Sequence, residues 1–299
     1  MKDGILLIDK PAGITSHDVV GRVRRLYGTR QVGHTGTLDP MATGLLVVLV
    51  GRAVKASEYA TEHDKGYVAG LKLGLTTDTE DVTGQILTRT DALPDATAVR
   101  ETAMDFRGEI LQIPPMYSAL KREGEKLCDL ARRGIEVERE ARPITVYDLA
   151  CEIVNEAEGD YRLSVRCSKG TYIRTLCADI GKALGCGGVM SSLRRTEAGG
   201  FTVGEAVTLE SLETMTAEER EARLRPVEEL FASLPILRLP PFFARLAAAG
   251  NEIYLKKVGV AYPLGQRVRL YDDSFFSLGE VREFADGLAV KPIKKFRLE

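Results

Sequence analysis

Apolar and polar positions along this chain repeat with two different periods, and the places where one gives way to the other mark out its elements. Residues 4–8 are a short unbroken apolar run, which predicts a buried strand stopped by the turn Lys10-Pro11-Ala12-Gly13. Thr15 or Ser16 then stands where a cap is needed for a helix reaching about Tyr27. Val19, Val20, Val23, Leu26 and Tyr27 share its apolar face, while Arg22, Arg24 and Arg25 lie elsewhere on its surface. Residues 45–50 lack polar alternation, so they predict a central strand covered on both sides. Residues 65–74 alternate, which puts Tyr67, Ala69, Leu71 and Leu73 on one face of a strand. A polar loop over 76–81 leads through Gly84 to another strand.

Further along, the pattern predicts a helix over 96–106, a break at Pro114-Pro115, a short helix near 124–133 and strands over 144–154 and 160–167. Residues 209–230 read as a charged helical stretch. Strands and helices do not alternate regularly, which predicts an α+β domain whose mixed, largely antiparallel sheet is flanked by helices. Three prolines between Leu234 and Pro241 mark a linker or domain edge. Beyond it, short strands punctuated by Gly259, Pro263-Leu264-Gly265, Asp272-Asp273 and Asp286-Gly287 predict a small β-barrel. The expected division is residues 1–233 and 234–299.

Composition narrows the class. At 299 residues the chain is long enough for about two domains, and no apolar run approaches the roughly 20 residues of a membrane helix. The opening apolar core, Ile5 to Ile8, is too short for a signal peptide, so a cytoplasmic protein is expected. Five cysteines without a CxxC pair fit neither a disulfide framework nor a zinc ribbon.

Net charge is −2, yet the charges are segregated. Residues 1–60 carry eight Lys/Arg against five Asp/Glu, residues 161–200 seven against two, and residues 236–299 eleven against seven, whereas residues 206–230 carry seven acids against three bases. A basic face opposite an acidic one suits a phosphate backbone without making the chain basic overall. No GxxxxGK[ST] loop, HExxH helix or GxSxG elbow occurs, which removes the usual sequence support for nucleotide hydrolysis, zinc proteolysis and α/β-hydrolase chemistry.

Two runs carry candidate chemistry. The first, from Gly33 to Leu46, packs glycines, threonines and His34 around the single carboxylate Asp39, between a helix and an apolar strand. Glycine freedom, the fixed φ of Pro40 and threonine hydroxyls bonding their own turn would together present Asp39. The second, Arg166 to Gly181, ends a strand at a Ser-Lys-Gly-Thr turn able to cap a helix, with Tyr172 and Arg174 at its start. A cation there opposes the helix dipole, and a buried carboxylate would compensate it.

Over the full run, the Asp39 loop resembles the catalytic loop of the TruB family of tRNA pseudouridine synthases. Four further stretches agree with that family in order: Asp9 to Ser16; Lys65-Gly66-Tyr67 with Leu73-Gly74 and 76–81; Gln112 to Lys121; and Leu193-Arg194-Arg195-Thr196 with Gly200-Phe201. The resemblance implies a pseudouridine-synthase-type sheet followed by a PUA-like RNA-binding domain. It further implies isomerisation of the T-loop uridine (position 55 of tRNA) by base flipping, with Asp39 as the catalytic aspartate, acting as nucleophile or base. Arg174 matches the arginine that pairs with that aspartate and holds it ionised.

Tyr67 matches the ring that stacks on the flipped base and helps remove a proton from it, His34 the residue that fills the vacated stack, and Tyr172 and Leu193 the lining of the uracil pocket. Lys10 supports the loop or meets phosphate. Breaking a glycosidic bond and rejoining the base through carbon calls for one placed carboxylate and an aromatic pocket, with no metal or redox cofactor. The implied partner is the T-arm of tRNA, bound by a monomer needing neither membrane nor obligatory protein partner. Cys128 departs from the pattern, standing where the family usually has an aromatic residue.

Overall fold

A computed structural model describes residues 3–60, 63–122 and 124–297. Its main body is a ten-stranded sheet. From one edge to the other, the principal strands run Val207–Thr208, Gly4–Lys10, Thr43–Val50, Gly188–Ala198, Lys65–Leu73, Asp160–Cys167, Arg142–Asn155 and Gly108–Gln112. Neighbours are antiparallel except Gly4–Lys10 with Val207–Thr208 and Thr43–Val50 with Gly188–Ala198. Val32–His34 and Phe201–Thr202 pair alongside this path.

Local sequence accounts for these elements. Leu45 to Val50 are all at 0% exposure because the strand is covered on both faces. Leu45, Val47 and Leu49 enter one apolar cluster, while Leu46, Val48 and Val50 pack with Val19, Val20 and Val23 of the Ser16–Leu26 helix. Thr15 is that helix's cap, its hydroxyl accepting from the Asp18 amide while Asp18 reaches back to the Thr15 amide. Tyr67, Ala69, Leu71 and Leu73 share one face of Lys65–Leu73, as their alternation requires, and meet the Ile173–Ala183 helix through Ile173, Leu176 and Ile180.

Three local expectations change. Residues 209–230 are not one helical stretch: Leu209–Thr214 and Ala217–Ala222 are separate helices, the second restarted by a capping box between Thr216 and Glu219. The proline-rich segment is not a plain linker either. Ile236–Arg238 is a strand pairing in parallel with Arg267–Tyr271, and Pro241 opens the helix Pro241–Ala248, where a missing amide hydrogen costs nothing. Finally, the Ser-Lys-Gly-Thr turn does not cap the Ile173–Ala183 helix; the capping position is Tyr172, whose amide donates to Gln112 Oε1 at 2.8 Å.

The C-terminal strands form a second, five-stranded sheet in the order Ile236–Arg238, Arg267–Tyr271, Phe275–Phe284, Gly287–Lys295, Ile253–Tyr254. Its hairpins turn at Asp272-Asp273 and Asp286-Gly287. No helix among the described residues is long and apolar enough to cross a membrane.

Candidate active site

Asp39 lies between the strands Val32–His34 and Thr43–Val50, on a loop held by donors from outside it. Ser16 Oγ accepts from the Leu38 amide at 2.8 Å and donates to the Leu38 carbonyl at 3.1 Å. The Pro40 carbonyl accepts from the Gly13 amide at 2.8 Å and from Lys10 Nζ at 3.3 Å. Beneath the loop, Arg195 donates through Nε to the Leu45 carbonyl at 2.7 Å, through Nη1 to Thr37 at 3.3 Å and through Nη2 to Gly36 at 3.0 Å. Leu38 is thus buried, whereas the Asp39 side chain keeps 37% of its exposure.

This differs from the expected means of presentation. Among the described residues, the hydroxyl tethering the loop backbone is that of Ser16, and Thr43 Oγ1 reaches instead to the Leu193 carbonyl at 3.4 Å. Gly33 and Gly36 keep ordinary backbone angles; Gly44 alone in the run has positive φ, +100°. A Cβ at Gly44 would lie 2.3 Å from the Arg195 carbonyl oxygen, so glycine is required there for two strands to approach.

Arg174 meets Asp39 directly, Nε to Oδ2 at 3.0 Å, with the arginine side chain only 7% exposed. Its Nη1 donates to the Thr79 carbonyl at 2.9 Å and its Nη2 to the Tyr117 carbonyl at 2.7 Å. A second carboxylate, Asp81, has Oδ2 4.0 Å from Arg174 Nε and is itself 7% exposed. Asp81 Oδ1 accepts from the Thr83 amide at 2.9 Å, which folds the 76–83 loop around it. Two carboxylates and two carbonyls therefore surround one guanidinium. They offset its unfavourable place at a helix start, and with both Nη nitrogens bonded to carbonyls it is Nε that meets Asp39.

Tyr67 is 8% exposed and belongs to the same cluster as Leu38, Ile173 and Leu193. Burial pushes its phenol above the usual range; hydrogen bonding and the charge of Arg195 oppose this, while the nearby Asp39 adds to it. Leu193 stands opposite Ala69 on the adjacent strand. Tyr172 is half-buried and fixed by Gln112, whose side-chain amide also donates to the Tyr172 carbonyl at 3.0 Å. His34 ends its strand opposite Val48, and burial, then the charge of Arg195, hold its imidazole below the usual range.

Lys10 ends the strand Gly4–Lys10. It is fully buried, donating to the carbonyls of Pro11 at 2.8 Å, Ile14 at 2.7 Å and Pro40 at 3.3 Å. In this position it bonds the Lys10-Pro11-Ala12-Gly13 turn to the Asp39 loop, the first of its two expected roles. Cys128 is half-buried on the helix Leu127–Arg132, with its amide bonded to the Ser118 carbonyl at 3.0 Å.

Ser16, Asp81, Gln112 and Arg195 all occur in the runs singled out by sequence, yet the pattern marks none of them as a site residue, and Ser16 only as a candidate helix cap. For Arg195 a signal was present: residues 193 and 195 share a strand face, and Leu193 points to the core.

Together these groups form a carboxylate with a guanidinium partner beside a buried phenol and an apolar wall. Such a site suits acid–base or nucleophilic work on an uncharged, planar substrate. Comparison with known proteins is consistent with this geometry. Residues 24–173 match the TruB family pseudouridylate synthase N-terminal domain, and residues 174–232 match the tRNA pseudouridylate synthase B C-terminal domain. The tRNA pseudouridine synthase B of Burkholderia mallei (strain NCTC 10247) is 46% identical over 94% of this chain and 93% of its own length. That of Azoarcus sp. (strain BH72) is 49% identical over 84% and 83%. Among solved structures, a chain of a Cbf5-Nop10-Gar1 complex superposes with a TM-score of 0.72 at 25% identity, covering 98% of this chain and 85% of that one. The chain belongs to the TruB family of pseudouridine synthases.

Proposed function

We propose that this protein converts the T-loop uridine of tRNA, position 55, to pseudouridine, with Asp39 as its one catalytic carboxylate. The observation that carries this reading is the 3.0 Å contact between Asp39 Oδ2 and a buried Arg174, beside Tyr67. The curated relatives named as tRNA pseudouridine synthase B, matched over most of their length, supply the substrate class.

The reaction breaks the bond from the sugar to nitrogen 1 of uracil and forms one to carbon 5; the carbon-5 proton leaves and nitrogen 1 gains one. Uridine must first leave its stack, at a cost of a few kcal/mol offset by contacts with the surrounding loop. His34 takes the vacated place, and the extruded base lies on Tyr67 with Tyr172 and Leu193 as walls. Asp39, paired with Arg174, acts on the nucleoside as nucleophile or base. Tyr67 also helps remove the carbon-5 proton. We assign residues 1–233 to catalysis and 234–299 to a PUA-like grip on the RNA. The enzyme works in the cytoplasm as a monomer on the T-arm alone.

A T-arm hairpin tritiated at carbon 5 of the target uridine tests the reading. The wild-type protein should release tritium without added protein or guide RNA, and Asp39→Asn should release none. Release from neither protein would overturn the assigned reaction, and equal release from both would overturn the role of Asp39. Binding without release would mark an RNA-binding scaffold, and release only with added guide components would mark a ribonucleoprotein subunit.

A further inference from the structure

The sheet register sets Gly44, Arg195, Tyr67 and Val165 in one row across four strands. Directly paired residues project to the same face, so Arg195 and Tyr67 are side-by-side neighbours. Arg195 is 2% exposed, and among the described residues no carboxylate forms a salt bridge with it. A buried cation in this state costs stability that an apolar side chain of similar volume would not. What the guanidinium does instead is bond three carbonyls, two of them on the Asp39 loop at Gly36 and Thr37 and the third at Leu45, where the following strand begins to be covered. Among the described residues no other side chain bonds more than one carbonyl of the loop.

We propose that Arg195 is a positioning residue for the isomerisation: its three-pronged fork fixes the Asp39 loop relative to the Tyr67 strand, so that the carboxylate and the phenol face the same uracil. This rests on the reading that Asp39 and Tyr67 act on uridine. Planarity is essential to the role, because Arg195 reaches Leu45, Thr37 and Gly36 from three separate nitrogens of a fixed fork, whereas the ammonium of a lysine gathers its donors at one nitrogen, which serves converging carbonyls such as those around Lys10. Charge alone is therefore insufficient, and lysine should fail as methionine does.

The test measures turnover of T-arm RNA by wild type, Arg195→Lys and Arg195→Met, together with deuterium exchange of peptides covering 35–42 and 45–50. Misplacing a catalytic group by about 1 Å costs on the order of 100-fold, so both variants should lose roughly 100-fold in kcat while KM stays within about threefold. Exchange should accelerate at the amides of Thr35, Leu38 and Ala42, which now donate to the Val47 carbonyl, Ser16 Oγ and the Asp39 carbonyl, and stay slow over 45–50. A folded variant with kcat within about threefold of wild type, or a rescue by lysine, overturns the proposal. If both variants fail to fold, replacing Thr37 by its α-hydroxy acid turns the Gly36 carbonyl into a weaker ester acceptor; kcat should fall about fivefold, and no fall overturns the proposal. A wild-type protein that releases no tritium sinks the assigned reaction, while exchange over 35–42 still decides whether Arg195 holds the loop.

Discussion

Lys10 and Arg195, both paired with Gly44 in the sheet, answer the same physical demand. A tight turn that is neither helix nor sheet directs carbonyls inward, and buried carbonyls must find donors. Lys10 supplies donors to Pro11, Ile14 and Pro40, and Arg195 to Gly36, Thr37 and Leu45. Either cation, seen alone in the sequence, resembles an ordinary surface residue, so three-dimensional closure of the loop is what reveals the role. Burial lowers the Lys10 pKa from 10.5 to about 8, against the opposing pull of Asp39. Between those values the folded protein has released this proton and the unfolded chain still holds it, so folding stability gains as pH rises through the window. Urea unfolding of wild type and Lys10→Met at stepped pH should show a difference in ΔG that climbs above pH 8, approaching about 1.4 kcal/mol per pH unit. A difference that stays flat or falls over that range would mean Lys10 keeps its proton while buried.

The elements were largely legible because each announces itself locally. Alternation at Tyr67, Ala69, Leu71 and Leu73, the unbroken run over 45–50 and the Thr15 cap all specify what forms there without help from distant residues. What stayed hidden was pairing across long separations, above all the parallel contact of Thr43–Val50 with Gly188–Ala198. That contact consists of Arg194 opposite Thr43 and Arg195 opposite Gly44, and it joins the Asp39 loop to the Tyr67 half of the sheet. Gly44→Ala places a methyl 2.3 Å from the Arg195 carbonyl oxygen at a φ of +100°, so both steric and backbone strain act at the seam. The variant should lose about 2–4 kcal/mol in urea unfolding and lose turnover along with it. Ala at Gly33, which has open φ and whose Cβ would meet only Val54 at 3.7 Å, is the control expected to change stability by less than about 1 kcal/mol.

At the scale of the molecule, the edge read at residue 234 is a boundary of sheets but not of packing. Phe231 lies against Phe275 and Phe296 of the C-terminal sheet with ring centroids 6.1 and 5.6 Å apart, and against Tyr59 at 6.3 Å. Leu278 and Phe296 enter the cluster containing Leu45, Val47, Leu49 and Ala53, so one apolar core spans both units. Polar contacts follow the same seam: the Tyr271 hydroxyl donates to Glu228 at 2.7 Å, Arg269 Nε to the Leu234 carbonyl at 3.0 Å, and Lys294 pairs with Glu58. Sequence patterning could not show this, because Phe231, Phe275 and Phe296 are far apart in the chain and each reads as the core of its own element. Cutting the chain at 234 would therefore expose Leu230 and Phe231 as well as remove a sheet, which makes deletion a poor measure of RNA binding by the C-terminal unit. Phe231→Ala examines the seam with the chain intact. If one core joins the units, urea should unfold both in a single transition, and the variant should lose about 3–4 kcal/mol as read equally by circular dichroism and by deuterium exchange of Phe275–Phe284. Were the C-terminal strand to exchange in an earlier transition of its own, unmoved by the substitution, the two sheets would be independent bodies joined by a hinge.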